Sequence, residues 1–386
     1  MRDPDDRAAG GTLTRSLKEL SGALGDAGTL LPLMLGAIAV AGLAPGPVLA
    51  GFGLFYIATA AYYRLPIPVQ PMKAVAAVVL TAQLSPSALA ASGVMIGAAL
   101  LALGSTGWIA KLARLVPQSV LAGLQLGLGA ALAMVAVGLM ATAPAIAIVT
   151  SALLFGLLFA PRYPAALIGL AAAVAMARLL GVPGLDFPAA TAALIALPAW
   201  PTLAEMQSAL SVYVLPQLSL TLTNAVILTA LIAGDYFGDR AAHVTPARLS
   251  MTSGLANLLL TPLGALPMCH GAGGLAAHYR FGARTGMAPL LLGVMLLALA
   301  LLPGGWGLAM LAAIPAAGLG ALLLFAAGEL AFTRRLIDCR PSCWPVIAAT
   351  AVATLVFDPF WGLLVGSFVE VARLAVVRLL HRAARL

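Results

Sequence analysis

The sequence predicts an all-α integral membrane protein of about fourteen transmembrane spans, arranged as two inverted repeats of seven. Three observations carry that expectation: an apolar composition, apolar runs whose connecting loops sort by charge, and motif pairs at a constant offset. The 386 residues are 62% hydrophobic and 9% charged, with a mean hydropathy of +1.04. A soluble domain carries roughly 25% charged residues, so this chain cannot cover itself with a polar surface. The apolar runs are helix-length, not the ten-residue alternating segments of a membrane barrel.

Cutting at Pro, Gly and charge clusters gives the spans in order. They are 24–43, 46–63, 68–85, 87–105, 117–140, 143–160 and 163–181, then 214–234, 246–265, 268–282, 286–303, 315–333, 342–357 and 359–380. Residues 1–20 form a cytoplasmic tail without the apolar core and cleavage site of a signal peptide. The first repeat is 21–181 and the second 214–386. Between them, 182–213 is a Pro-rich extracytoplasmic connector with an amphipathic piece, PTLAEMQSALSVY.

Charge fixes the orientation. With the N-terminus in the cytoplasm and sides alternating, 19 of the 21 Lys and Arg fall in cytoplasmic tails and loops. The exceptions are Arg178 and Lys73. This positive-inside pattern supports the span count and places both termini in the cytoplasm. It also accounts for the net charge of +8 without nucleic acid.

Gly107 opens GWIAKLARLVPQSVL and Gly305 opens GWGLAMLAAIPAAGL. Trp108 and Trp306, Pro117 and Pro315, and Leu121 and Leu319 are each 198 residues apart; Pro68 and Pro267 are 199 apart. Seven spans per copy, an odd number, make the copies inverted. Inverted repeats with matching Pro/Gly-interrupted segments are a transporter signature and point to the substrate site.

Those segments lie in spans three and ten. Pro66 and Pro68 push the residues before them toward extended backbone, and Pro71 suits the first turn of a helix. Residues 65–70 are therefore expected to run extended, with a helix starting near Pro71. After Pro267, the glycines Gly271, Gly273 and Gly274 permit the same course. Two half-helix starts, each with unpaired N–H groups and about half a unit of positive charge, would make an anion site. Lys73 lies in the first turn of one and His270 at the start of the other. A charge at membrane depth is costly and marks function. For His270 the alternative is a ring satisfied by a neighbouring carbonyl.

Other polar groups sit in the spans. Asp26 and Thr29 stand where the first begins. Gln217, Ser219, Thr221, Thr223 and Asn224 sit in the eighth, where alternating Ser and Thr would line a cavity or bond between helices. Asp26 is a candidate proton carrier or a structural group beside the site. Glu329 is a candidate coupling carboxylate, against which stands a salt bridge to Arg334 or Arg335. Cys269, Cys339 and Cys343 form no disulfide framework, and the C-x3-C pair lacks partners for a metal. No cofactor is expected.

The motifs GDAGTLLPLMLGAIA, PVQPMKAVAAVV, PQLSLTLTNAVILTALIAGDYFG and PMCHGAGGLAAHYRFGARTG together resemble the molybdate transporters, a branch of the sulfate permease superfamily. The resemblance runs from about Gly25 to Arg284. It implies the seven-plus-seven fold of uracil/purine permeases, with spans 1–4 and 8–11 as a core holding substrate and the others as a gate. It implies uptake of molybdate, with sulfate or tungstate as related dianions. It also implies no C-terminal cytoplasmic regulatory domain and, as often in the superfamily, a homodimer. By position, Gln70, Met72 and Lys73 match one motif and Cys269, His270, Gly271, Ala272 and Gly273 the other. Backbone amides at Lys73, Gly271 and Ala272, with the side chains of Gln70, Thr29 and Asn224, would supply the donors a tetrahedral dianion needs.

The expected activity is therefore secondary, proton-coupled import of an oxyanion through the cytoplasmic membrane. A sulfate or other dianion permease is the alternative, and an anion channel is the alternative of another class. The chain shows no Gly-x-Ser-x-Gly, no His-Glu-x-x-His and no phosphate-binding loop, so an enzyme is not expected.

Overall fold

The structure is a computed structural model that describes residues 12–41, 43–73, 75, 85–109, 111, 116–157, 159–160, 163–182, 194–357 and 359–383. The early tail, most of the third span after Lys73, and the Pro-rich part of the connector lie outside them.

Helices dominate, as the composition requires. In chain order they are α1 (Thr12–Gly25), α2 (Ala27–Ala41), α3 (Pro45–Tyr63), α4 (Pro86–Thr106), α5 (Gln118–Met140), α6 (Pro144–Leu157) and α7 (Ala165–Leu179). Next come α8 (Leu203–Ala209), α9 (Leu215–Leu220), α10 (Thr229–Phe237), α11 (Pro246–Leu260), α12 (Ala272–Arg280) and α13 (Met287–Leu301). The last are α14 (Trp306–Ala312), α15 (Ala316–Ala331), α16 (Arg334–Ile337), α17 (Trp344–Val356) and α18 (Pro359–Ala383). Prolines open α3, α4 and α11, where a missing N–H costs nothing. Among the described residues, four helices are long and apolar enough to cross a membrane: Pro45–Tyr63, Pro86–Thr106, Gln118–Met140 and Thr221–Ala241. A fifth arises if α14 and α15, bent by 65°, count as one span.

The helix that leads into the eighth span starts in the connector, before the apolar run. Thr202 accepts from Glu205 N–H while Glu205 Oε2 accepts from Thr202 N–H, a capping box. From there α8, a π turn at Leu210–Val214, α9, a second π segment at Thr221–Leu228 and α10 follow without a break. Pro216 lacks the N–H that a regular helix would use, and the first π turn lies directly before it.

Small residues set the packing. α3 lies along α13 and α4 along α11. A Cβ on Gly53 would stand 2.9 Å from Gly293 O, and one on Gly97 would stand 2.9 Å from Gly254 O. Each crossing thus brings two backbones together through facing glycines, the close approach favoured between membrane helices. In a second set, α5 packs on α15 and α17, and α6 and α7 pack on α15.

Between these helices two chain segments run extended. β1 (Gln70–Pro71) pairs antiparallel with β2 (Met268–Cys269), with Gln70 opposite Cys269 and Pro71 opposite Met268. Met72 N–H donates to Pro267 O at 3.0 Å. The expected extended entries therefore meet. Pro71, expected to begin a helix, belongs to the strand, and helical backbone begins at Lys73. Such short strands persist in an apolar interior only if every backbone group finds a partner. Asn257 of α11 supplies two: its Oδ1 accepts from Met268 N–H (3.0 Å), and its Nδ2 donates to Met268 O (2.6 Å).

Candidate anion site at the crossing of the broken segments

Where β1 and β2 cross, they face the middle of the eighth-span helix across a small cavity of about 10 Å³. Its walls include Gln70, Lys73, Gln217, Thr221, Asn224, Cys269 and His270, with Pro71, Leu220 and Ala225. Lys73 is the one charged side chain among them. Its Nζ is shut off from solvent and has no hydrogen-bond partner among the described residues. A buried ammonium with no hydrogen-bond partner is costly, so the cavity is electrostatically suited to an anion.

Asp26 is close enough to Lys73 for their charges to interact, yet its oxygens are engaged elsewhere. Gln70 Nε2 donates to Asp26 Oδ1 (2.6 Å), and Tyr56 OH donates to Asp26 Oδ2 (3.3 Å). Asp26 sits at the break between α1 and α2, entirely buried. It stands behind Gln70 and is not part of the cavity wall.

Gln217, Thr221 and Asn224 are spaced i, i+4 and i+7, so one helical face lines the cavity. The expected alternation of Ser and Thr is not what points inward. Thr223 turns its hydroxyl to Leu220 O at 3.3 Å, and the side chain of Ser219 lies outside the described set. Gln217 Nε2 donates to Thr221 Oγ1 (2.8 Å), and its Oε1 accepts from Val75 N–H (3.3 Å). It thereby ties the first turn after Lys73 to the opposite wall.

His270 lines the cavity, but both ring nitrogens are engaged. Nδ1 donates to Pro68 O (2.9 Å), which leaves Nε2 to accept from Thr252 Oγ1 (2.9 Å). Phe55 and Tyr63 flank the ring at 5.2 and 5.7 Å. The ring thereby ties the chain before β1 to α11. A carbonyl and a hydroxyl within reach satisfy a neutral imidazole without charge.

Gly271, Ala272 and Gly273 stand behind the wall at the start of α12. There the first N–H groups have no partner within their own helix. A Cβ on Gly271 would collide with Gln70 Oε1, and one on Gly274 would lie 2.5 Å from Gln70 Nε2 and 2.7 Å from Asp26 Oδ2. These glycines leave the space the Gln70 amide occupies. Met72 and Thr29 are buried but are not among the cavity-lining residues. Glu329 is remote from the site on α15 and pairs with Arg280 of α12 at 3.6 Å. The expected partner Arg335 instead holds Asp235 of α10 and donates to Gln118 Oε1 at 2.6 Å. The side chain of Arg334 lies outside the described residues. Tyr56, Thr252 and Asn257, which brace the site, carry no motif.

A helical fold in which two broken segments meet over a small buried cavity is the arrangement expected of a membrane transport protein. Solved structures agree on the fold. The transmembrane domain of a cyanobacterium bicarbonate transporter, BicA, superposes with a TM-score of 0.56 at 17% identity, covering 90% of this chain and 97% of that one. The murine solute carrier 26 family member A9 anion transporter, in its inward-facing state, superposes with 0.56 at 14% identity, covering 98% and 70%. A family model described as "Molybdate transporter of MFS superfamily" matches residues 18–132 and 209–330. Molybdate transporter 2 of Arabidopsis thaliana is 31% identical over 415 aligned positions, 91% of this chain and 87% of that protein. The chain belongs to the molybdate transporter family.

Proposed function

We propose that this protein is a secondary active transporter that imports molybdate across the cytoplasmic membrane, coupled to protons. The observation that carries the reading is the unpartnered Lys73 ammonium in a cavity between the two broken segments. Family membership supports molybdate as the anion. The donors in the wall suit a tetrahedral dianion: Lys73 and the side-chain amide of Asn224, with no carboxylate among the lining residues.

A core moving against a gate is the expected mode of transport for inverted repeats. The two glycine crossings support such a twofold relation. Gly53 and Gly254 are 201 residues apart, and Gly97 and Gly293 are 196 apart. Exchanging the repeats therefore turns the α3–α13 crossing into the α11–α4 crossing. The loop charges support cytoplasmic termini.

The test is uptake of labelled molybdate into vesicles containing the purified protein, with and without a proton gradient. Saturable, gradient-dependent accumulation is expected, abolished in Lys73→Ala. Stronger competition by sulfate than by tungstate would make the chain a sulfate permease. Non-saturable flux that follows the membrane potential alone would make it a channel.

A further inference from the structure

A carboxylate only accepts hydrogen bonds, so Gln70 can meet ionised Asp26 only with its amide N–H. That is the arrangement observed, with Nε2 on Oδ1 at 2.6 Å. The consequence falls on the other end of the same amide. Gln70 Oε1 lies against Gly271, is buried, and has no hydrogen-bond partner among the described residues. A buried orphan carbonyl is costly. Gln70 is also one of the residues that line the cavity beside Lys73.

The pair has a second arrangement in the same volume. Half a turn about the Cγ–Cδ bond exchanges Nε2 and Oε1. It requires Asp26 to hold a proton, which it then donates to Oε1. The turned Nε2 lies on the Gly271 side, at the start of α12. Gly271 and Gly274 are the positions where a Cβ would intrude on either end of the amide. Besides Gln70, the groups that face Asp26 are Tyr56 from α3, a donor in either arrangement, the Thr29 hydroxyl from α2, and Lys73 beyond β1; α12 meets it at Gly274, which carries no side chain.

We infer that Asp26 is a positioning residue for Gln70: protonated, it turns the amide to give the anion an N–H, and ionised, it withdraws that N–H. Asp26 thus makes anion affinity depend on a proton without touching the anion. The inference rests on the anion-site reading above and gives that site its coupling device.

The test is calorimetric titration of the purified full-length protein with molybdate at mildly acid and mildly alkaline pH. The alkaline titration is repeated in two buffers of different ionisation enthalpy. A hydrogen bond to a charged group is worth about a tenfold change in affinity or more, so the wild type is expected to bind about tenfold more tightly at acid pH. At alkaline pH it is expected to take up a proton as it binds. Asp26→Asn and Gln70→Met should each abolish the pH dependence. Gln70→Met keeps the carboxylate and loses only the amide that reads it. Persistence of the pH dependence in Gln70→Met would show that Asp26 acts through its charge alone, and would overturn the inference. So would wild-type binding that takes up no proton at alkaline pH, a measurement that needs no variant. Absence of molybdate binding by the wild type at either pH overturns the functional reading, and this inference with it.

Discussion

Asn257→Ala isolates how the site is held together. Asn257 is fully buried, and its side chain satisfies both backbone groups of Met268, at 3.0 and 2.6 Å. Met268 lies in β2 opposite Pro71, which has no N–H to give, so the residue opposite cannot replace the donor that Asn257 gives Met268 O. Truncation leaves one donor and one acceptor buried without partners, at about 1–3 kcal/mol each. The sum is about 2–6 kcal/mol, toward the lower end if water enters the gap left by the amide. Equilibrium unfolding in mixed micelles measures it, and molybdate binding on the same samples reports whether Cys269 and the start of α12 have moved. Asn257→Asp sharpens the test. Its carboxylate can still accept from Met268 N–H but faces Met268 O without a proton, so it should be no better than alanine near neutral pH. A loss below about 0.5 kcal/mol for Asn257→Ala, with binding unchanged, would refute the idea that this clamp holds β2.

Gly274→Ala should loosen the site without removing any polar group, because its Cβ falls on both Gln70 Nε2 and Asp26 Oδ2. Molybdate affinity should fall while Gly234→Ala, where a Cβ meets nothing within 4 Å, leaves it unchanged. The pairs Asp235–Arg335 and Glu329–Arg280 link the helices around the site to the α15 set. Because partly exposed pairs are worth about 0–1 kcal/mol, Asp235→Asn and Glu329→Gln should alter the rate of vesicle uptake more than stability or affinity. Glu205 is held down to about 2 by Ser85 first, then Thr202 and Ser87. A depressed carboxylate stabilises above its ordinary value and loses that contribution as pH falls through its folded value. Glu205→Gln should therefore raise hydrogen exchange at Leu203–Ala209 by a constant factor at neutral pH. The difference should shrink below about 4.5 and vanish near about 2.

The two broken segments were legible because proline acts locally. Pro66, Pro68 and Pro267 restrict their own neighbours, so extended backbone at 65–70 and after 267 follows from the sequence alone. The same holds for helices opening at Pro45, Pro86 and Pro144. Lys73 was legible because a charge in an apolar run stands out. Partners were not. Gln70 meets Asp26 across 44 residues, and His270 meets Pro68 O across 202. Nothing in either residue's surroundings states which tertiary neighbour wins. Thr252 as the second partner of His270, and Arg280 as the partner of Glu329, are likewise tertiary choices. In the eighth span a period of two was read where the helix presents 217, 221 and 224. A residue count of 3.6 per turn would have found that face.

The central claim is that Lys73 supplies the charge for an anion bound between the broken segments. Titration of purified wild type and Lys73→Ala with molybdate measures it most directly. Loss of a charged hydrogen-bond donor predicts at least a tenfold weakening in the variant, with its helical content and unfolding unchanged or improved, since a buried unpaired ammonium is gone. Binding by Lys73→Ala within about twofold of wild type, less than about 0.5 kcal/mol, would contradict the account.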